Sequence, residues 1–226
     1  MTVLMVSGVL APEEVAPLRE ALEAEPWRDG KATAGRVARA VKANEQADLS
    51  GPSGKALRET IRKAVTEHVV VKAAARPRRI STIMVSRTAN GGHYGRHIDN
   101  ALMGSGERRI RTDLSFTLFL TPPESYEGGE LIIHSSMGAQ SLKGEAGDLV
   151  LYPSSDIHEV APVTSGERMV AVGWIESVIA NGQERALLFD LENLRVSLRE
   201  VLPTNSAELL TLDKTIANLL RMWAKP

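Results

Sequence analysis

No cysteine occurs in this chain of 226 residues, so a metal ion could be held only by nitrogen and oxygen donors, and the five histidines are where such a site must be sought. Two of them stand beside features that a metal site requires. In His97-Ile98-Asp99 an imidazole and a carboxylate lie two residues apart, and in an extended chain residues i and i+2 share a face. His158 follows Tyr152-Pro153-Ser154-Ser155-Asp156 and opens a run that reads as a strand. If the sheet curls so that these segments face each other, His97, Asp99 and His158 form a two-histidine, one-carboxylate facial triad, with positions left open for a bidentate ligand and dioxygen at a ferrous ion. Zinc accepts the same donors, so ligand identity alone leaves the metal open.

Arg168 narrows the chemistry. It lies ten positions beyond His158, after the predicted turn Thr164-Ser165-Gly166-Glu167. A buried guanidinium makes two parallel hydrogen bonds to a carboxylate and can anchor the far end of a dicarboxylate whose keto-acid end chelates iron. Alternation places Val172 and Trp174 on the face of Arg168, where they would wall the pocket, and Tyr94 is a further candidate for its lining. His68, within a predicted helix, and His134, at a predicted strand end, read as structural or surface residues. His93 shares the parity of His97 and Asp99; a second-shell or substrate-facing role is the alternative to a bland one.

These residues need a frame. Short runs rich in Val, Ile, Thr, Phe and Leu follow one another between residues 79 and 176: Ile80–Arg87, Asp113–Leu120, Glu130–His134, Asp148–Tyr152, His158–Val163 and Arg168–Ile175. Gly, Pro, Asn and Ser clusters cut between them, and no helices intervene, which predicts a mainly β fold with flanking helices, a sandwich or jelly roll, rather than a parallel α/β sheet. Before the runs, Thr2–Val9 reads as a strand, and Pro12–Ala24 and Ser53–Ala75 read as helices. After them come helices over Asn181–Val201 and Ser206–Trp223, separated by Pro203. The division expected is an N-terminal strand with supporting helices over 1–77, a core over 78–178 and a C-terminal helical appendage over 179–226.

Composition sets limits on partners. The net charge of −1 and the short basic cluster Arg76-Pro77-Arg78-Arg79, without interleaved aromatics, argue against nucleic acid. The apolar start lacks a positive leader region and no stretch is long enough to span a bilayer, so a cytoplasmic protein without membrane attachment is expected. The apolar face of the last helix could pack within the chain or form a homo-oligomer.

The spacing His97-x-Asp99, His158, Arg168 resembles that of iron(II)- and 2-oxoglutarate-dependent dioxygenases of the prolyl 4-hydroxylase-like branch. Within that branch the PKHD-type hydroxylases are similar over Tyr94-Gly95-Arg96-His97-Ile98-Asp99-Asn100-Ala101, Arg111–Leu120, Gly128-Gly129-Glu130-Leu131, Gly147–Ser155 and Gly166–Ile175, and the similarity extends to Trp27–Lys42 and the helical tail. The resemblance implies a double-stranded β-helix core, iron on His97, Asp99 and His158, 2-oxoglutarate on Arg168, dioxygen as oxidant and L-ascorbate as the agent keeping iron reduced. It implies hydroxylation of a C–H bond, with succinate and carbon dioxide released, on a substrate that could be prolyl, peptidyl or linked to iron uptake. Asp99 favours hydroxylation over halogenation, since similar halogenases carry a small residue there. One departure concerns the pocket wall: some prolyl hydroxylases have a tyrosine seven positions before the residue matching Tyr94, where this chain has Arg87. A non-catalytic sensor of iron or 2-oxoglutarate on the same fold is the competing function. A nucleic-acid demethylase is disfavoured, because no second arginine follows Arg168 through Ile175.

Overall fold

A computed structural model describes residues 3–33, 39–135 and 138–225. Residues 34–38, inside the block expected to match over Trp27–Lys42, and Thr2 of the first expected strand lie outside the described residues.

Two antiparallel sheets face each other. The nine-stranded sheet runs in the order Leu4–Val6, Leu149–Pro153, Leu114–Phe119, Val163–Ser177, Met84–Ala89, Glu45–Ala47 and Trp27–Asp29, and the long strand Val163–Ser177 also pairs with Tyr126–Gly128 and Pro77–Ile80. The five-stranded sheet runs Gly138–Leu142, Leu131–Ser135, Ile157–Val160, His93–His97 and Lys42–Ala43. This is the jelly-roll arrangement.

Strand periodicity sorts the side chains into layers. Met169, Ala171 and Ile175 of the long strand, with Leu114, Phe116 and Leu118 beside them, pack on helices through Val15, Leu22, Ile61 and Val71. The opposite face carries Phe119, Val150, Tyr152 and Val170 against Leu131 and Ile133 of the smaller sheet. The central strand Leu114–Phe119 is therefore buried on both sides, and the site lies between the sheets.

Three elements differ from their expected form. The helix expected over Ser53–Ala75 is two helices, Pro52–Glu67 and Val69–Ala75, broken at His68, whose backbone is extended. The run Val69-Val70-Val71 that follows has low helix propensity, so the break falls where continuation is weakest. The single strand expected over Ile80–Arg87 is instead two, Pro77–Ile80 and Met84–Ala89, which both lie along Val163–Ser177. The expected turn over Thr164–Glu167 lies inside that long strand; Gly166, at φ 71°, supplies the local irregularity without ending it.

The last two helices, Gly182–Val201 and Ala207–Trp223, are capped by Asn181, which accepts from Gln183 N and Glu184 N, and by Ser206, which accepts from Leu209 N. They enclose a separate small cluster of Ile179, Leu188 and Ile216. Arg76 reaches Glu192 at 2.9 Å, joining this pair to the body. Among the described residues no helix is long and apolar enough to cross a membrane.

Candidate metal centre

His97 ends one strand of the smaller sheet, and His158 lies opposite it on the neighbouring strand, so backbone pairing itself brings the two imidazoles together. Their ring centroids are 4.3 Å apart. Asp99 follows His97 at the spacing that returns its carboxylate to the same side, with Oδ2 3.7 Å from His158 Nε2, while the intervening Ile98 is 57% exposed. One donor atom from each of His97, Asp99 and His158 lies within 4.8 Å of the others.

Each donor is oriented from behind. His97 Nδ1 donates to Gly95 O at 2.8 Å and His158 Nδ1 to Asp156 O at 3.0 Å, which leaves both Nε2 atoms as acceptors. Ser115 Oγ donates to Asp99 Oδ2 at 2.6 Å and lies 2.8 Å from Ser154 Oγ. Tyr94 stacks on His97, centroids 3.7 Å apart, and Tyr152 meets the His158 ring edge-on at 5.1 Å. Burial, reinforced by His158, pulls the His97 pKa down to about 4, so its imidazole is neutral and ready to coordinate.

The triad opens into a cavity of about 600 Å³ whose far wall includes Arg168, Val170, Val172 and Trp174. Arg168 is 2% exposed. Its Nε and Nη2 have no hydrogen-bond partner among the described residues, and neither does Nε1 of Trp174. A buried guanidinium with two nitrogens unpaired is costly; burial lowers its pKa and Tyr126 opposes that shift, and the arginine stays charged. A carboxylate entering the cavity would satisfy those donors, so the residues present fit a dicarboxylate held between arginine and metal.

Gly129 lets Arg168 lie there. Its φ is 70°, and a Cβ on it would come 2.8 Å from Val163 Cγ2 and 2.9 Å from Arg168 Cδ, so glycine leaves room for the arginine stem.

The other sequence candidates lie elsewhere. His134 Nε2 donates to Glu159 Oε1 at 2.8 Å, His68 sits at the helix break, and His93, with Nδ1 3.3 Å from Gly91 O, does not line the cavity. Arg87 turns away from the cavity, over the Trp27 ring at 4.3 Å and against Glu45 at 2.7 Å. The sequence reading did not single out Lys42, Ser115, Ser154 or Tyr152, although all four fall in the matching blocks. No local pattern marks a serine that will support a carboxylate sixteen residues away.

Lys42 carries a measurable cost. It is 5% exposed, lines the cavity and holds Nζ 5.1 Å from the centroid of Tyr94. Burial, opposed by Asp29, lowers its pKa from 10.5 to about 8. Between those values the unfolded chain holds a proton that the folded chain has lost, so stability rises with pH across that window and the full penalty stands below it. Lys42→Met is expected to stabilise the metal-free protein at neutral pH by about 2–3 kcal/mol and to flatten the rise, as read from urea unfolding at a series of pH values.

A double-sheet jelly roll whose cavity is lined by two histidines, a carboxylate and a buried arginine is the arrangement of the 2OG-Fe(II) oxygenase class, and the family model of the 2OG-Fe(II) oxygenase superfamily matches residues 83–176. A second model, the PKHD-type hydroxylase C-terminal domain, matches residues 183–225, and a PKHD-type hydroxylase of Hyphomonas neptunium is 49% identical over 221 residues, covering 98% of this chain and 99% of that one. The chain therefore belongs to the PKHD-type hydroxylases. Among solved structures, an oxidoreductase of the 2OG-Fe(II) oxygenase family from Burkholderia pseudomallei aligns with TM-score 0.59 and 15% identity over 77% of this chain and 84% of that one. A prolyl hydroxylase from Trichoplax adhaerens, in complex with a hypoxia-inducible-factor oxygen degradation domain peptide, aligns with TM-score 0.53 and 15% identity over 82% of this chain and 86% of that one.

Proposed function

We propose that the protein hydroxylates a C–H bond of a peptidyl or small-molecule substrate, using ferrous iron on His97, Asp99 and His158 and 2-oxoglutarate anchored by Arg168. The observation that carries this reading is the shared cavity, lined by three metal donors and by an arginine of the facing sheet with two unpaired guanidinium nitrogens. With iron and cosubstrate bound, the centre would use dioxygen as the oxidant, one oxygen atom entering succinate as 2-oxoglutarate loses carbon dioxide and the other entering the substrate C–H bond as hydroxyl.

The chain's own residues supply the rest. The two backbone carbonyls hold the imidazoles in the coordinating tautomer, Ser115 fixes the carboxylate, and Arg168 selects a ligand with a second acid group at the right reach. Tyr94 and Trp174 would wall the cosubstrate space, and Val170 and Val172 keep it dry. L-Ascorbate would return iron oxidised in unproductive turnovers to the ferrous state. The cytoplasm, where iron and 2-oxoglutarate are both available, is the compartment that suits this chemistry.

Purified protein given ferrous iron, 2-oxoglutarate and ascorbate in air is expected to form succinate slowly without added substrate. A sensor would bind the keto acid, visible as a metal-dependent absorbance band, and form no succinate above the protein-free rate; that result would replace the oxygenase reading.

A further inference from the structure

Beside the metal cavity runs a larger groove of about 1850 Å³, bounded by the helices Pro52–Glu67 and Val69–Ala75, the strand Pro77–Ile80 and the hairpin around Met103. The two spaces adjoin, with Gln46, Met84, Asn100, Met103 and Trp174 lining both. A chain segment lying in the groove would pass beside the metal cavity.

The groove's charge is unlike that of the whole protein. The chain has 27 Lys and Arg against 28 Asp and Glu, whereas the groove is lined by eight Lys or Arg and three Asp or Glu. Several of these cations are partly neutralised: Arg28 pairs with Asp48, Arg62 with Glu59, Arg76 with Glu192, and Arg78 and Arg79 share Glu176. A surplus remains after that discount. Lys55 and Lys72 are exposed in the groove without an ion pair among the described residues, whereas Arg58 donates from Nε to Ile83 O and its charge also acts on Asp48.

Shape and backbone favour a polypeptide. The volume exceeds the roughly 300–1,000 Å³ of small-molecule pockets. Pro77–Ile80 pairs with one neighbour only among the described residues, so an extended segment would meet backbone hydrogen-bonding groups as well as cations. Among the described residues Trp174 is the one aromatic in the lining, and it borders the metal cavity as well, so these residues offer no row of aromatics along the groove for stacking bases.

We infer that this groove binds an acidic, extended polypeptide segment and delivers the residue to be hydroxylated to the metal centre. The inference deepens the oxygenase reading and rests on it for the word hydroxylated, while the binding itself can be measured separately.

The test uses a fluorescent glutamate-rich peptide, a Gly/Ser peptide of equal length and a single-stranded oligonucleotide, titrated by anisotropy with the full chain without iron or 2-oxoglutarate. The acidic peptide is expected to bind saturably and to weaken roughly tenfold or more in the double variant Lys55→Glu/Lys72→Glu, and likewise with added salt. Both lysines are exposed, and an unchanged melting temperature will show that the variant is folded. Lys214→Glu, on the last helix, is expected to bind as wild type. Manganese(II) added to the triad should broaden the NMR signals of the bound peptide. No saturable binding, binding indifferent to the charge reversal, tighter binding of the oligonucleotide, or a bound peptide left unbroadened would each overturn the inference. Absence of succinate formation alone would sink the oxygenase reading and leave the peptide result standing.

Discussion

Asp99→Ala is expected to bring substrate-free succinate formation down to the protein-free rate, a loss of at least about 100-fold, since even residues that only support metal ligands typically contribute 10- to 100-fold. The carboxylate is the sole anionic donor among the three, so its removal leaves two neutral imidazoles and weakens the hold on any divalent cation. The same change frees Ser115 Oγ, which still has Ser154 Oγ at 2.8 Å, so the fold should tolerate it. Circular dichroism and urea unfolding should therefore match wild type closely, while isothermal titration with manganese(II) shows weakened binding. Ser115→Ala is expected to be milder, with roughly a tenfold loss of turnover, because the carboxylate stays but loses its orienting donor. Wild-type succinate formation in Asp99→Ala would show that the triad does not hold the working metal.

The donors were legible in the sequence because they depend on local geometry and on one pairing. His97 and Asp99 share a face through simple alternation, and Arg168, Val170, Val172 and Trp174 line one wall for the same reason. What joins them is long-range. The register that sets His158 opposite His97 depends on strands more than sixty residues apart in the chain, and a shift of one residue would turn the imidazole outward. Motif resemblance supplied that pairing; periodicity could not.

The less legible features are those that tertiary context decides. Nothing local marks Ser115 as the partner of Asp99, because an alternating Ser in a strand reads as an ordinary buried hydroxyl. Lys42 reads as a solvated charge until the strand Lys42–Ala43 is docked on Tyr94. The basic groove was legible only in part: Arg76, Arg78 and Arg79 form a visible cluster, but Arg28, Lys55, Arg58, Arg62 and Lys72 come from separate stretches, and the balanced total charge conceals their convergence on it. The helix break at His68 follows from the valine run after it, a weak propensity that a matching apolar stripe overrode in the sequence reading.

Arg168 sets stability against function, and separating the two gives the sharpest check on the cosubstrate assignment. In the ligand-free protein its guanidinium is 2% exposed with two nitrogens unpaired, so it costs folding energy that a thioether of similar length would not. Arg168→Met should therefore raise the stability of the ligand-free protein by roughly 1–3 kcal/mol, read as a higher urea midpoint at unchanged slope. The same substitution should raise the KM for 2-oxoglutarate by about 30-fold or more, the loss expected when one partner of a buried, charge-assisted pair is removed. Manganese(II) affinity should stay near wild type, because Arg168 lies across the cavity from the donors. In wild type, 2-oxoglutarate with manganese(II) should add stability as its concentration rises through its Kd, about 2.7 kcal/mol at a hundredfold excess, and Arg168→Met should lose most of that increment. Arg168→Lys keeps the charge but not the fork, and should fall between the two. A variant that is destabilised when ligand-free yet binds 2-oxoglutarate normally would mean that the arginine is a structural element whose donors are satisfied by water, and the far carboxylate would then need another anchor, for which Lys42, on the opposite strand of the cavity, is the remaining buried cation.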